Sequence, residues 1–243
     1  MKKLSFITGI LVCLAVLFAA LGAVCGAVDQ MARDEHFYGD MSRAAVAAYL
    51  PAETDEQVTA YIGLTDTEQD AFAKDMAAFM AGETDQQPDI LNEKEQQHML
   101  DVRGLTQSAA GMSKIHLTIA MILAVISAWT GARLKSRVKP QLTGALAAVS
   151  IIMIIVVNVM NQVTAGGFEG LFVQMHELIF TNDLWMMDPA TDILIRMMPQ
   201  PLFEQALLNT ANFALRMLLI VCVMLTAVEE MVLRMIRRHL KKD

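Results

Sequence analysis

LSFITGILVCLAVLFAALGAVCGAV, residues Leu4–Val28, runs for 25 residues without a charge, and about 20 predominantly apolar residues suffice to cross the hydrocarbon core of a bilayer. Lys2-Lys3 in front of it imitates the basic flank of a secretory signal, but the apolar region of a signal is only about 7–15 residues long. Val24, not a small residue, precedes Cys25, so a lipoprotein cleavage box is lacking. The run reads as an uncut membrane anchor.

Three more stretches have the same character: about Ile115 to Ala132, Leu142 to about Gln162, and about Leu207 to Val228, the last interrupted by Arg216. The whole chain of 243 residues is 55% hydrophobic and 19% charged, with a mean hydropathy of +0.42, too apolar for an ordinary soluble domain. The expected fold is all-α and polytopic, with four transmembrane helices and a small helical extracytoplasmic cap. Cys13, Cys25 and Cys222 all lie in apolar runs, which excludes a disulfide framework or a cysteine metal cluster. A net charge of −7 lacks the basic face that nucleic acid requires.

Lysine and arginine orient the spans. Lys2-Lys3, the turn 133–141 with Arg133, Lys135, Arg137 and Lys139, and the tail 229–243 with Arg234, Arg237, Arg238, Lys241 and Lys242 all fall on one side of four spans. Residues 29–114, with 17 Asp+Glu against 6 Lys+Arg, and residues 163–206, with 6 Asp+Glu against Arg196 alone, fall on the other. Both termini are therefore expected in the cytoplasm and both acidic loops outside, where any site has to be built.

In the first outer loop, Thr65 and Glu68 have capping-box spacing, and Phe72, Met76, Phe79 and Met80 repeat on one helical face until Gly82. Asn92 with Glu95, after Pro88, marks a second start running through His98 and Asp101 toward the second span. In the second outer loop, Asp188-Pro189 reads as an N-cap and first helical residue, with Pro199 and Pro201 closing a short helix. Its Met, Leu, Ile and Trp content suits an interfacial helix or an apolar lid on the bundle.

The block His176-Glu177-Leu178-Ile179-Phe180-Thr181-Asn182-Asp183-Leu184-Trp185-Met186-Met187-Asp188-Pro189-Ala190-Thr191-Asp192, with Met198-Pro199 after it and Glu95-Gln96-Gln97-His98-Met99-Leu100-Asp101-Val102 before it, resembles the lipoprotein intramolecular transacylase family, Lit. Met175, Met186 and Met187 stand where Phe, His or Leu is expected. The resemblance covers nearly the whole chain and implies four spans with two outer loops. It also implies transfer of the sn-2 acyl chain of a diacylglyceryl lipoprotein to the α-amine of its N-terminal cysteine, giving the lyso-form. Its functional histidines carry over to His98 and His176, its partners are diacylglyceryl-modified lipoproteins and membrane lipid, and no cofactor is implied.

The residues suit that chemistry. Moving an acyl group from an ester to an amine requires loss of an ammonium proton, stabilisation of an oxyanion and protonation of an alkoxide, which histidines can serve near neutral pH. Candidate substrate-binding or oxyanion groups are Asp101, Asn182, Asp183 and Trp185 in the matching elements. Asn158, Asn161 and Gln162 share one face of span three, and Asn209, Asn212 and Arg216 one face of span four. An intramembrane arginine is either functional or an interhelical anchor. His36 and His239 read as solvated or interfacial, and His116 as a water-facing helix-end residue.

Two other readings stay open: a metal-dependent membrane hydrolase using Glu95, His98, Asp101 and His176, and a non-enzymatic membrane protein with an extracytoplasmic binding surface. Glu229-Glu230-x-x-x-Arg234 has the pattern of an intramembrane protease, but no histidine-bearing spans follow, and Glu230 with Arg234 makes an ordinary i,i+4 pair. One geometric expectation is sharp. A straight helix would place His98, 17 residues before Ile115, about 25 Å from the start of span two, so the chain is expected to bend at Gly104 or Gly111 and bring the two imidazoles to a shared cavity.

Overall fold

The computed structural model describes residues 2–51, 53–132 and 140–239, and all its regular structure is helical among those residues. In chain order the helices are α1 (Lys2–Ala32), a single π-helical turn (Phe37–Met41), α2 (Ser42–Tyr49), α3 (Asp55–Ile62), α4 (Asp66–Ala81), α5 (Glu93–Ala132), α6 (Pro140–Ile179), α7 (Ile193–Met197) and α8 (Gln200–His239). They form two compact units, one of Met1–Gly26, Gly111–Met160 and Ala211–Asp243, the other of Ala27–Ala110 and Asn161–Thr210.

In the first unit, helices approach through small residues. A Cβ at Gly22 would lie 2.9 Å from Leu117 Cγ and one at Gly26 would lie 3.0 Å from Ser113 Oγ, so these glycines let α1 and α5 come together. Small residues four apart do this wherever apolar burial alone cannot drive association. Ser113 Oγ donates to Gly22 O at 2.7 Å and Thr8 Oγ1 to Thr130 Oγ1 at 2.9 Å. A Cβ at Gly144 of α6 would run into the Gly9 carbonyl of α1, and Val12, Val16 and Ala148 fill the space beside it. Met121, Ile122 and Val125 point outward instead. Among the described residues two helices are long and apolar enough to cross a membrane, Lys3–Ala32 and Glu93–Gly131, and a shorter apolar stretch is Ala147–Val156. Several side chains of the expected third and fourth spans lie outside the described residues.

The second unit is built in the opposite sense, with its large apolar side chains inside. Ile62, Phe72, Met76, Phe79, Met80, Met197 and Leu202 are fully buried, each contributing about 1.5–3 kcal/mol of hydrophobic stabilisation. The expected α4 forms as read: Thr65 and Glu68 make a capping box and Gly82 ends the helix in the left-handed conformation. Thr54 with Gln57 and Gly63 do the same for α3.

Two expectations for helix boundaries are corrected. Asp188-Pro189 does not start a helix: the Asp188 side chain accepts from the Ala190 N–H at 2.8 Å and its carbonyl from Asp192 N–H at 2.7 Å, closing a turn. α7 starts after that turn, with Asp192 at its N-cap. Pro199 follows α7, but Pro201 sits in the first turn of α8, where a missing N–H costs nothing.

Candidate active site

The α5 helix begins where the sequence placed it. Asn92 Oδ1 accepts from the Glu95 N–H at 3.0 Å and Glu95 Oε2 from the Asn92 N–H at 2.8 Å, a reciprocal cap. His98 and Asp101 follow at one-turn spacing on the same face. The expected bend is absent: α5 runs through Gly104 and Gly111 without a positive φ at either. A glycine permits a bend without imposing one, and the intrahelical bonds are kept. The break lies in α6 instead, at Gly167, whose φ of 71° and ψ of 168° suit a residue without a Cβ. The part of α6 after this break carries Phe168, Phe172 and His176 on one face.

The two imidazoles meet all the same. Their ring centroids are 6.3 Å apart and nearly stacked. Phe180 lies 5.2 Å from His98 and 5.5 Å from His176, Trp185 lies 5.0 Å from His176, and Phe172 lies 4.0 Å from it. Both histidines are buried. His176 Nδ1 is 2.8 Å from the Phe172 carbonyl, so it is the protonated nitrogen and Nε2 is left as an acceptor. His98 Nδ1 is buried with no hydrogen-bond partner among the described residues.

Burial lowers the pKa of both rings. For His98, desolvation comes first, the neighbouring His176 adds to it, Asp101 opposes it and Lys94 reinforces it, and the value falls to about 4. For His176, desolvation outweighs the Phe172 carbonyl, which favours the charged form. Both shifts favour the uncharged ring at neutral pH.

Asp101 and Asn182 belong to the same cluster: Asn182 Nδ2 donates to Asp101 Oδ2 at 2.9 Å, and Asn182 Oδ1 accepts from the Leu184 N–H at 3.2 Å. This turn carries Trp185 to His176. Asp183 is exposed, its carbonyl accepting from Met186 N–H. Asn158 and Arg216 are exposed residues of the other unit, and Asn158 Nδ2 donates to Ile154 O of its own helix. The side chains of Asn161, Gln162, Glu230 and His239 lie outside the described residues. His36 pairs with Asp40 on the surface, and His116 packs 5.7 Å from Phe18.

Among the described residues no group of three or more His, Cys, Asp or Glu side chains has metal-holding geometry. Glu95 Oε1 instead accepts the Leu194 N–H at 2.6 Å. Two features escaped the sequence reading: the aromatic box of Phe172 and Phe180, and a part-buried network joining Asn92 and Lys94 to Asp192 and Glu95 to Leu194. The aromatic box was readable as Phe at four-residue spacing around His176. The network joins residues about 100 positions apart and leaves no local signal.

The family model for the lipoprotein intramolecular transacylase Lit matches residues 7–203. The membrane-integral lipoprotein intramolecular transacylase Lit of Bacillus cereus has a similar fold, with a TM-score of 0.60 at 19% identity, covering 98% of this chain and 100% of that one. A variant of the same Bacillus cereus protein with a histidine replaced by arginine gives a TM-score of 0.60 at 18% identity, covering 98% and 96%. No curated protein sequence matches. The protein is thus a membrane-integral acyltransferase. The chain belongs to the Lit family, the lipoprotein intramolecular transacylases.

Proposed function

We propose that this transacylase moves the sn-2 acyl chain of a diacylglyceryl lipoprotein to the α-amine of the lipidated N-terminal cysteine, with His98 and His176 as the proton-transfer groups. The observation that carries this reading is the pair of buried imidazoles, stacked 6.3 Å apart among Phe172, Phe180 and Trp185. At neutral pH part of the α-amine, whose ordinary pKa is near 8, is free base. Its nitrogen attacks the ester carbonyl and the C–N bond forms; as that nitrogen becomes acidic an imidazole takes one of its two protons, the C–O bond breaks, and the imidazolium returns the proton to the glyceryl alkoxide. The products are an amide and a free hydroxyl, and no co-reactant is consumed. Because donor and acceptor sit in one lipopeptide, binding supplies much of the proximity.

Asp101, Asn182, Asp183 and Trp185 are the proposed substrate-binding or oxyanion groups beside the pair. Arg216, Asn158 and Asn161 are proposed separately as donors to lipid oxygens. Exposed Leu100, Leu105, Met175 and Leu178 near the two histidines in sequence offer apolar surface to acyl chains. The proposed topology has four spans, both termini in the cytoplasm and the site on the outer face. Cysteines introduced by Gln86→Cys and Thr191→Cys should then react with an impermeant thiol reagent in intact cells, and one from Ser136→Cys should not.

Transacylation changes connectivity and not mass, so the chemistry is tested by fragmentation of the N-terminal peptide of a reporter lipoprotein. An N-acyl fragment that depends on this protein is expected. A reporter whose amine stays free despite a well-expressed protein overturns the proposal.

A further inference from the structure

Glu95, His98 and Asp101 fall one turn apart on α5, and each meets a different part of the stretch from His176 to Leu194. Glu95 holds Leu194, His98 faces His176 and Phe180, and Asp101 holds Asn182. The first of these grips is unusual. An N-cap side chain ordinarily accepts from the backbone N–H two or three residues on, yet Asp192 makes no such bond to α7. The Leu194 N–H goes to Glu95 Oε1 instead. Asp192 reaches out in return: Oδ1 accepts from Asn92 Nδ2 at 2.9 Å and Thr191 Oγ1 at 3.0 Å, and Oδ2 from Lys94 Nζ at 3.0 Å and the Asp188 N–H at 2.8 Å. α7 thus takes a cap from α5, which keeps its own, while Asp192 holds the side chains of Asn92 and Lys94 at the start of α5. Lys94 Nζ also donates to Met186 O at 2.6 Å, next to Trp185.

Both carboxylates are buried, Glu95 with 1% and Asp192 with 3% of its surface exposed. Buried charges are poor stabilisers compared with apolar packing, but their hydrogen bonds are directional. Here every named bond aims at the segment that brings Phe180, Asn182 and Trp185 to the histidines. We propose that Glu95 and Asp192, tied through Asn92 and Lys94, form a clasp that holds residues 180–192 against the His98–His176 pair, and are positioning residues of the acyl transfer. The inference rests on the histidine reading above. It adds a requirement: the aromatic box is set by two carboxylates that touch no substrate.

The test uses the full chain in lipid nanodiscs with a synthetic diacylated lipopeptide, following N-acyl product and backbone hydrogen exchange. Asp192→Ala should lower kcat about 10- to 100-fold, the scale of a misplacement near 1 Å, with KM changed far less. Asp192→Asn should recover most of the loss, because its amide oxygen still accepts from the Asp188 N–H. Exchange should quicken over residues 181–194 and stay unchanged in α4. Wild-type kcat in Asp192→Ala, or equal loss in the Ala and Asn variants, overturns the clasp. If Asp192→Ala does not fold, Lys94→Met, at a half-exposed position, takes its place with a smaller fall in kcat expected, and unchanged kcat and exchange overturn the clasp. Should the wild-type protein yield no N-acyl product, the histidine reading fails, while local exchange in the variants still decides whether the clasp exists.

Discussion

The two units of this molecule use apolar side chains in opposite ways. In the unit containing Gly22, Ser113 and Gly144, the helices touch through glycines and hydroxyls, while Met121, Ile122 and Val125 face outward. In the unit containing the histidines, Phe72, Met76 and Phe79 are fully buried, and helix ends carry capping boxes and left-handed glycines. The difference fits the topology proposed above, in which the first unit meets hydrocarbon and the second meets water. Where the surroundings are hydrocarbon, large apolar groups gain nothing by turning inward and association rests on close backbone approach. Where they are water, burial of those same groups is the main driving force.

Substitutions in the two units should separate along that line. The largest effect belongs to the chemistry of the histidine-bearing unit: His98→Ala and His176→Ala should each cut N-acylation by about 10²- to 10⁴-fold, the scale of general acid–base catalysis, at unchanged membrane levels. Product assays alongside immunoblots check this, and an active double variant would break the assignment. Next comes packing. Phe72→Ala should cost about 3–5 kcal/mol, whereas Ile122→Ala should stay within about 0.5 kcal/mol. Comparable losses in denaturant unfolding of the two variants would erase the contrast between the units.

Adding atoms tests the glycine contacts. Gly144→Ala should cost about 1–3 kcal/mol by overpacking against the Gly9 backbone, while Gly104→Ala, where a Cβ meets nothing within 4 Å, should gain about 0.5–1 kcal/mol from helix propensity. Thermal unfolding in one detergent compares the pair directly.

The smallest effect is that of pH. The His98 pKa lies at about 4, against 6.5 for a free histidine, because burial disfavours the charged ring. Its contribution to stability is thus fully present above about pH 6.5 and is lost as the pH falls toward 4. For Asp192, burial raises the pKa, but the Asp188 N–H, Lys94, Asn92 and Thr191 outweigh it and hold it at about 2. That contribution is present above about pH 3.8 and fades toward 2. Mild acid should therefore lower protection from hydrogen exchange, taken relative to the intrinsic rate at each pH, first around His98, while the backbone amides beside Thr8 and Thr130 keep theirs. Exchange profiles between pH 7 and 4 read both.

Local signals carried much of this. Apolar run length marked α1 and the second half of α5, because a bilayer sets a minimum length that few soluble helices meet. Thr65 with Glu68 and Asn92 with Glu95 located two helix starts, since a cap is made within four residues. Residue type and the family elements singled out His98, His176, Asp101, Asn182 and Trp185. Those readings failed where competition decided. Gly104, Gly111 and Gly167 are equally permissive in sequence, and only Gly167 breaks its helix. Asp188 had the form of an N-cap, but its bonds to Ala190 and Asp192 closed a turn instead.

The sequence by itself therefore determined which segments avoid water, where helices begin, and which side chains are equipped to move protons, because each depends on composition and spacing within a turn or two. Only the tertiary structure decided that His98 and His176 lie 6.3 Å apart in an aromatic box and that Glu95 caps a helix 99 residues away. Such contacts arise when distant segments compete for the same donors and the same space, and the outcome is settled by packing rather than by any local preference.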